Sequence, residues 1–480
     1  MSLTDDRTLS RRDLLAAAAV GAAALALPRS VWAAGSDPGY ATYLSQPSLK
    51  PPTMTVSTLT TPAPGYVFVE TLTGPGQRGP MIVDNHGQIV WFRRVKTFAI
   101  NFRTQVYRSK PVLTWWEGQV TKIGTSEGVN LIVDQSYKTI TRVAAGNGYK
   151  ADVHEFLLTP QGTALITVHA ETQADTTSVG GRPGANVLDS IVQEIDVATG
   201  KVLFEWHSLD HIPFTESYAP LLDPYDYFHV NSIDVDLDGN LVISAKSTSA
   251  VYKLDRKTGA VLWRLGGRLS DFQIAQGAGF FYQHDARTHP DGTLTLFDDG
   301  TGDASYPSRG LRLRPDEQSR TCALVAAYPH PTPVVATSMG NAQDVPGGGM
   351  MVGFGDQPYV TEFGPAGDVR FDAKFDGNAW NYRAFRDVWV GRPATVPVLA
   401  VTRSGRDAVV HVSWNGSTET AYWRVEAGSA VAALRPVRTA PRNGFETSIR
   451  LSGVPPVVRV SALDRSHRVL ATSKVERPYI

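Results

Sequence analysis

Three stretches of this chain begin with a histidine and reach a glycine at a chain reversal within about ten residues. They start at His154, His229 and His284. Each has the pattern of a strand, a tight turn with Gln-Gly or Asp-Gly at the bend, and a returning strand rich in β-branched residues. A single histidine at a strand start is usually structural. Three at matched positions of a repeated hairpin predict one structural unit that brings imidazoles to a common place.

A second kind of hairpin alternates with the histidine-bearing kind. It occurs in six segments, which begin at residues 83, 133, 195, 254, 313 and 363. The first kind is expected at 113–123, 154–168, 229–245, 284–297 and 341–354. A spacing of about 50 to 60 residues is typical of four-stranded propeller blades. The sequence therefore predicts an all-β fold with a six-bladed β-propeller over residues 65–391, in which the strand 65–72 closes the ring against the segment 382–389.

The hairpin pattern changes after Gly391. Two prolines, Pro393 and Pro397, precede alternating segments of the kind found in small antiparallel sandwiches. We expect a small β-sandwich, fibronectin type III-like, over residues 395–480, and a linker over residues 34–64.

The N-terminus carries an export pattern. Arg11 and Arg12 precede a short run of alanine and leucine, and small residues follow it up to Ala33. The run is shorter than the roughly 20 residues that a membrane-spanning helix needs. We therefore interpret residues 1–33 as a twin-arginine signal peptide. It predicts export in the folded state by the twin-arginine translocase, into the periplasm or outside the cell, with no stable membrane anchor.

Composition restricts the partner and the source of stability. The formal net charge is +0, which gives no reason to expect nucleic acid and favours a small-molecule partner. Cys322 is the single cysteine, so no intramolecular disulfide can form and the chain must be stabilised by packing.

Several segments resemble the arylsulfotransferase family. They are YFHVNSIDVDLDGNLVISAKSTSAVYKLDRKTGAVLWRLGG at 227–267, QHDARTHPDGTLTLFDDG at 283–300, SRGLRL at 308–313 and DVHEFLLTPQGTALIT at 152–167. The resemblance extends approximately over residues 60–390, and a fibronectin-like tail is common in the bacterial, twin-arginine-exported branch. It implies a PAPS-independent aryl sulfotransferase with no cofactor, which moves a sulfuryl group from a phenolic sulfate ester to a phenolic acceptor. The family's six-bladed propellers do this by ping-pong kinetics through a sulfohistidine.

The resemblance also implies roles for individual residues. His229 matches the histidine of the His-x-Asn-Ser-Ile motif, and His284 matches that of Gln-His. Arg309, in Ser-Arg-Gly, matches the active-site arginine. The nucleophile is then His330, the one histidine in the connection AAYPHPTPVVATS. Fixed cations suit such a site because a transferring sulfuryl group, like a phosphoryl group, carries developing charge on its equatorial oxygens.

Other residues are expected to line the substrate cavity. His154 and Asn231 complete its wall, with Asn231 on the same strand face as His229, although an amide there can also serve the backbone. Tyr227 and Tyr282 are candidates for stacking an aromatic substrate, with packing between blades as the alternative. No short histidine spacing indicates a metal site.

Two other functions fit the same pattern. A catalytically inactive propeller can act as a ligand-binding or scaffold protein. A quinone-dependent dehydrogenase is suggested by outer hairpins such as DVATGKVLFEW, but six blades and no evident cofactor-clamping residues argue against it. The natural donor and acceptor, the oligomeric state and the role of the C-terminal domain stay open.

Overall fold

The computed structural model describes residues 39–122 and 125–478. The expected signal peptide, residues 1–33, lies outside the described residues. No helix within these described ranges is both long and apolar enough to cross a lipid bilayer.

The described part of the chain is an all-β structure of eight sheets. Six of them, sheets 1 to 6, are built around four antiparallel strands each. From the innermost strand outward, sheet 1 has Phe385–Asp387, Tyr66–Glu70, Pro80–Val83 and Ile89–Phe92. In the same order, sheet 2 has Phe98–Tyr107, Lys110–Lys122, Thr125–Val133 and Thr139–Val143. Sheet 3 has Phe156–Leu158, Thr163–Ala174, Ala185–Asp196 and Val202–His207.

Sheets 4 to 6 repeat this plan. Sheet 4 has Val230–Val235, Leu241–Ala245, Ala250–Leu254 and Val261–Gly266. Sheet 5 has His284–Thr288, Leu294–Asp298, Arg309–Asp316 and Thr321–Pro329, with Gln273–Ile274 added in parallel at the outer edge. Sheet 6 has Asn341–Val345, Gly349–Gly353, Tyr359–Phe363 and Val369–Phe375, with Met54–Leu59 at the outer edge.

Helices are short. The described residues contain one four-residue α-helix, Ser208–His211. The 3-10 turns are Thr177–Val179, Phe214–Glu216, Asp376–Asn378 and Val431–Ala433.

The six sheets contact one another in a closed order. The second strand of sheet 1 contacts the inner strand of sheet 2, and the inner strands of sheets 2 and 3 are in contact. The second strand of sheet 3 contacts the inner strand of sheet 4, and the inner strands of sheets 4 and 5, 5 and 6, and 6 and 1 are in contact. Closure depends on one pairing between distant parts of the chain, in which Phe385–Asp387 pairs antiparallel with Tyr66–Phe68. This is the pairing that the sequence predicts, and it gives a propeller-like arrangement with protected sheet edges.

The predicted turns explain the inner hairpins of sheets 3, 4 and 5. Gly162, Gly239 and Gly292 stand at their bends with φ of 81°, 85° and 75°. These values lie in the left-handed region that glycine adopts without a steric cost. The turn chemistry thus fixes the register that places a histidine at the start of each inner strand.

Two boundaries differ from the sequence prediction. The inner hairpin of sheet 2 turns at Arg108 and Ser109, before the expected 113–123, and both residues have positive φ. Since no glycine marks that turn, its position carries no signal in the sequence. Met54–Leu59, expected in a linker, pairs instead with the outer strand of sheet 6.

The C-terminal residues form two further sheets. Sheet 7 has Val398–Ser404, Asp407–Ser413 and Glu446–Leu451. Sheet 8 has Arg435–Pro441, Tyr422–Gly428, Val457–Leu463 and Val469–Thr472. Trp414, Trp423 and the alternating valines of both sheets form one shared core.

The C-terminal sheets are docked onto sheets 1 and 2. Asn415 accepts a hydrogen bond from the Phe92 amide at 3.0 Å and donates one to the Phe92 carbonyl at 2.8 Å. The hydroxyl of Tyr137 donates to the Gly416 carbonyl at 2.7 Å and accepts from the indole of Trp389 at 3.1 Å. The outer edge of sheet 1 is therefore covered rather than exposed.

Candidate active site

Three imidazoles meet where the inner strands of sheets 3 and 4 adjoin. The ring centroids of His154 and His229 are 4.7 Å apart, those of His169 and His229 are 5.1 Å apart, and those of His154 and His169 are 5.2 Å apart. We call these three residues the histidine cluster. The side chains of His154 and His229 keep 11% and 14% exposure, so the cluster is reached by solvent.

Asp152 fixes the orientation of His154. Its carboxylate is hydrogen-bonded to Nδ1 of His154 and accepts a hydrogen bond from the hydroxyl of Ser126 at 2.8 Å. Burial by itself would raise the pKa of Asp152, but the two nearby imidazoles, those of His154 and His169, and the hydroxyl together hold it well below its usual range. An ionised carboxylate at Nδ1 leaves Nε2 of His154 directed at the rest of the cluster.

Asp226 does the same for His229. Its carboxylate is hydrogen-bonded to Nδ1 of His229. Among the described residues, Nε2 of His229 has no hydrogen-bond partner. The backbone of His229 has φ of 59°, a conformation that a non-glycine residue keeps only where its surroundings hold it. Burial, outweighing the attraction of Asp226, lowers the pKa of His229 to about 4, so the imidazole is neutral near pH 7.

His169 completes the cluster from the returning strand of the inner hairpin of sheet 3. Its Nε2 lies 3.2 Å from the carbonyl oxygen of Val230. The amide of Asp152 donates to the Thr167 carbonyl, and His169 is two residues further along that strand, on the same face. The returning strand of the hairpin therefore places His169 next to His154, the residue that precedes the first strand of the same hairpin.

A second group lies beside the cluster on sheet 5. His284 is hydrogen-bonded through Nδ1 to Asp299 at 2.7 Å, and its Nε2 accepts the amide of Met339 at 3.3 Å. Burial is the first cause, and the positive charge of Lys246 a further one, that lowers the pKa of His284 well below its usual value. Burial also raises the pKa of Asp299 well above its usual value. Lys246 supplies a cation to this group, and its amide donates to the His229 carbonyl.

A buried ion network packs below the histidines. Glu155 lies within 2.6 Å of Arg103 and 3.4 Å of Arg383, and it is also paired with Arg287. Burial would raise the pKa of Glu155, but the three guanidinium groups lower it to about 2. Arg383 also donates to the Asn231 carbonyl at 2.8 Å. These groups tie the inner strands of several sheets to one another.

Two of the residues expected at the site lie elsewhere. His330 packs against Phe354 and Tyr359, with Nδ1 2.7 Å from the Thr332 carbonyl and Nε2 3.3 Å from Asp372 on an outer strand of sheet 6. None of its contacts involves the histidine cluster or His284. Its role as nucleophile stays a prediction, which this placement does not support.

Arg309 is likewise engaged away from the histidines. Its Nε donates to Asp298 at 3.1 Å, and its Nη2 donates to the Gly279 carbonyl and the Tyr306 hydroxyl. The cations near His284 are instead Lys246 and Arg383. The expected contact of Arg309 with a sulfuryl group stays a prediction, which this placement at the start of a strand of sheet 5 does not support.

The residues expected to bind an aromatic substrate are packed into the protein. Tyr227 is 0% exposed among Phe214, Tyr225 and Phe228, so its role in substrate binding stays a prediction, which this placement does not support. Tyr282 is also buried. Asn231 donates to the Gln283 carbonyl at 2.8 Å, so its amide joins sheets 4 and 5, as the backbone alternative predicted.

Several residues of the site were not predicted from the sequence. Asp152 and Asp226 precede their histidines by two and three positions, and an acidic residue so placed is a usable signal. His169 lies on the returning strand of the hairpin that His154 precedes, three residues beyond the pair Ile166 and Phe156, so the pairing of these strands was the available signal. Lys246 and Arg383 carried no signal because their approach depends on the ring.

A known protein family matches most of the chain that forms sheets 1 to 6. A family model described as Arylsulfotransferase (ASST) matches residues 103–376. A search of curated proteins gave no match. Similar solved structures include a protein of unknown function from Bacteroides caccae, with 13% identity over 67% of this chain and 98% of that chain and a TM-score of 0.43.

Two further solved structures resemble the chain more weakly. Virginiamycin B lyase from Staphylococcus aureus has 11% identity over 74% of this chain and 94% of that chain, with a TM-score of 0.33. The β-propeller domain of Cps50 (Swd1) from Myceliophteria thermophila has 11% identity over 69% of this chain and 88% of that chain, with a TM-score of 0.27. Similarity at this level carries no conclusion about chemistry.

Proposed function

This chain belongs to the arylsulfotransferase family, and on that premise we propose that it is a PAPS-independent sulfotransferase. It moves a sulfuryl group from a phenolic sulfate ester to a phenolic acceptor by a ping-pong route through a sulfohistidine. The supporting observation is the pair of carboxylate-anchored imidazoles, His154 and His229, next to His284, which feels the positive charge of Lys246. The proposal includes a six-bladed propeller, formed by sheets 1 to 6, and a fibronectin-like module, formed by sheets 7 and 8.

His229 is the favoured nucleophile. Its Nδ1 is held by Asp226, which fixes the tautomer with a lone pair on Nε2, and its lowered pKa keeps that lone pair available at neutral pH. In the first half-reaction Nε2 attacks sulfur, the S–N bond forms, and the S–O bond to the aryl group breaks. Lys246 stabilises the negative charge on the sulfuryl oxygens.

His154 acts as the general acid and then as the general base. The leaving phenolate needs one, since a phenol has a pKa of about 10. The imidazolium form of His154, 4.7 Å from the His229 ring, donates that proton and becomes neutral. In the second half-reaction the neutral His154 takes the proton of the acceptor phenol, whose oxygen attacks sulfur as the S–N bond breaks. The site then returns to its starting state.

Trapping the intermediate tests the proposal. The mature chain is mixed with a nitrophenyl sulfate alone, and intact mass is measured in neutral buffer. One acid-labile sulfuryl adduct is expected, absent in His229→Ala and retained in the exposed control His86→Ala. An adduct that disappears only in His330→Ala would instead identify His330 as the nucleophile, as the family resemblance implies. If no donor in a panel of aryl sulfates gives an adduct, the chain is not a sulfotransferase and the ligand-binding function gains support.

The remaining parts of the proposal concern location. Residues 1–33 direct export in the folded state through the twin-arginine translocase, so the mature enzyme acts in the periplasm or outside the cell. A fusion of residues 1–33 to a reporter that is exported only when folded tests this. Replacing Arg11 and Arg12 by lysine should retain the fusion in the cytoplasm.

A further inference from the structure

One edge of sheet 4 forms part of the rim around the histidines. In an antiparallel sheet the start of the innermost strand, the turn between the second and third strands and the end of the fourth strand all lie at the same edge. In sheet 4 that edge consists of His229, which directly precedes the innermost strand, the turn 246–249, and Gly266 at the end of the fourth strand. The residues that follow Gly266 therefore lie on the same side of the ring as His229.

Two glycines bring the chain close to that turn. Gly266 and Gly267 have φ of 87° and 70°, in the left-handed region that favours glycine. A Cβ atom on Gly267 would lie 2.6 Å from the carbonyl oxygen of Thr248, so a larger residue could not pass at this distance. Arg268 comes next, and its exposed side chain therefore starts beside the turn that begins with Lys246.

Arg268 stacks on a tyrosine that is tied to the same turn. Its Cζ lies 4.2 Å from the centre of the Tyr218 ring. The amide of Tyr218 donates to the Ser247 carbonyl at 2.7 Å, and the hydroxyl of Ser247 donates to the Asp226 carbonyl at 2.9 Å. These contacts connect the stacked pair to the aspartate that orients the imidazole of His229.

The guanidinium of Arg268 keeps donors available. Its Nε donates to the Ser217 carbonyl at 3.3 Å. Within residues 39–122 and 125–478, no group accepts a hydrogen bond from its two Nη atoms or forms an ion pair with it. Burial raises the pKa of Tyr218, Tyr225 and Tyr282, and the charge of Arg268 acts against that rise in all three. The rim therefore presents an unpaired cation among tyrosine rings.

The interior below the histidines is filled, which leaves one direction for the aryl part of a substrate. Glu155 and Arg383, in the buried ion network, are both 0% exposed. When a sulfuryl group meets Nε2 of His229, the aryl ring to which it is attached must extend outward, past the rim. Tyr218 and Arg268 lie on that rim.

We propose that Arg268 and Tyr218 form a subsite for a second anionic group, so that the preferred substrates are aryl sulfates and phenols that carry a carboxylate on the ring. A planar guanidinium presents two N–H groups that match the two oxygens of a carboxylate. The Tyr218 ring beside it offers an aromatic surface to the ring of the substrate. This inference rests on the proposed function, because it takes His229 as the point where the sulfuryl group is transferred.

Binding is tested without reference to transfer. 4-Hydroxybenzoate, which is an anion, and its neutral methyl ester are titrated into the mature chain by calorimetry. The parent should bind the carboxylate at least about threefold more tightly than the ester, as for an exposed ion pair. Arg268→Gln should make the two affinities equal, and Arg268→Glu should invert the preference.

The matched control is Arg320→Gln. Arg320 is also exposed and stacked on an aromatic ring, with its Cζ 5.4 Å from the centre of Phe272. It lies in the turn between the third and fourth strands of sheet 5, at the opposite edge from the histidines. Its substitution removes the same charge and should leave the preference for the carboxylate as it is in the parent.

The outcomes separate this subsite from the transferase. The adduct experiment is repeated with the sulfate esters of the same two phenols. A carboxylate preference that Arg268→Gln abolishes, both in binding and in the concentration that half-saturates adduct formation, supports both proposals. The same preference in binding without any adduct supports the subsite and removes the transferase.

Three results would overturn the subsite and leave the adduct experiment to decide on the transferase by itself. They are the absence of binding by either phenol, the absence of a carboxylate preference in the parent, and a preference that persists in Arg268→Gln. An equal fall in both affinities in Arg268→Gln would also leave the preference unchanged, and it would show that Arg268 only supports the shape of the rim.

Discussion

The guanidinium of Arg383 and the carboxylate of Glu155 lie 3.4 Å apart, and neither side chain has any exposed surface. Glu155 stands at the start of the inner strand of sheet 3, whereas Arg383 comes from the last segment of the ring. Their contact joins parts of the chain that meet only when the ring is closed. Two further arginines share the same carboxylate.

Removing this carboxylate should destabilise the ring. Glu155→Gln keeps the shape but leaves the charges of Arg103, Arg287 and Arg383 with one carboxylate fewer. Breaking a buried ion pair costs about 3–5 kcal/mol of unfolding free energy. Urea denaturation followed by tryptophan fluorescence measures the loss. Glu127→Gln, on an exposed strand position, should match the parent, and a parent-like midpoint for Glu155→Gln would show that the network contributes little.

Asp226→Asn should reduce the first half-reaction without unfolding the chain. An amide does not accept the Nδ1 proton of His229 as strongly as a carboxylate does, so the lone pair is no longer fixed on Nε2. The imidazole of His229 also loses an anionic neighbour. The expected fall in the single-turnover rate is at least about 100-fold. Asp175→Asn, on the surface, is the control. Equal rates in the two variants would show that Asp226 does not position the nucleophile.

The pH dependence follows from the pKa of His229. Burial lowers it to about 4, against the attraction of Asp226 and with the help of His154 and His169. The neutral nucleophile therefore persists as the pH falls, and the adduct-forming rate should decline only near pH 4 rather than near the usual histidine value of about 6.5. Quenched-flow measurements of adduct formation at several pH values check this. A decline centred near 6.5 would assign the reaction to another imidazole.

The same pKa has a consequence for stability. Between about pH 6.5 and 4 the unfolded chain binds a proton on this imidazole that the folded chain does not. The contribution of His229 to the unfolding free energy is therefore present above this window and is lost as the pH falls through it. His229→Gln should show a weaker loss of stability over this range than the parent, as measured by urea midpoints at several pH values.

The docking of the C-terminal sheets depends on Asn415. Asn415→Ala leaves both the amide and the carbonyl of Phe92 without their partner, at a cost of about 1–3 kcal/mol. We expect a lower melting temperature and faster proteolysis near residues 391–397. Asn415→Asp keeps the acceptor and loses the donor, so its effect should be intermediate. Parent-like stability of both variants would show that other contacts hold the interface.

The sequence predicted what depends on local pattern. Alternating apolar residues and glycine turns at 162, 239 and 292 specified the inner hairpins, and the matched histidines indicated a shared site. It carries little information on positions that depend on the assembled ring. His330 lies in a connection whose path is set by packing on Phe354 and Tyr359, so a family motif could not place it. Lys246 and Arg383 reach the histidines through contacts between sheets, which no spacing records.

The first sheet receives its innermost strand from residues 385–387, after every other sheet of the ring has been synthesised. A nascent chain therefore cannot finish the ring while those residues are still inside the ribosome, however early the inner hairpins form. Until then the edge strand Tyr66–Glu70 offers unpaired backbone groups to other chains. Any chaperone that guards this protein during synthesis would be expected to act on that strand, and a chain truncated before residue 385 should aggregate rather than assemble.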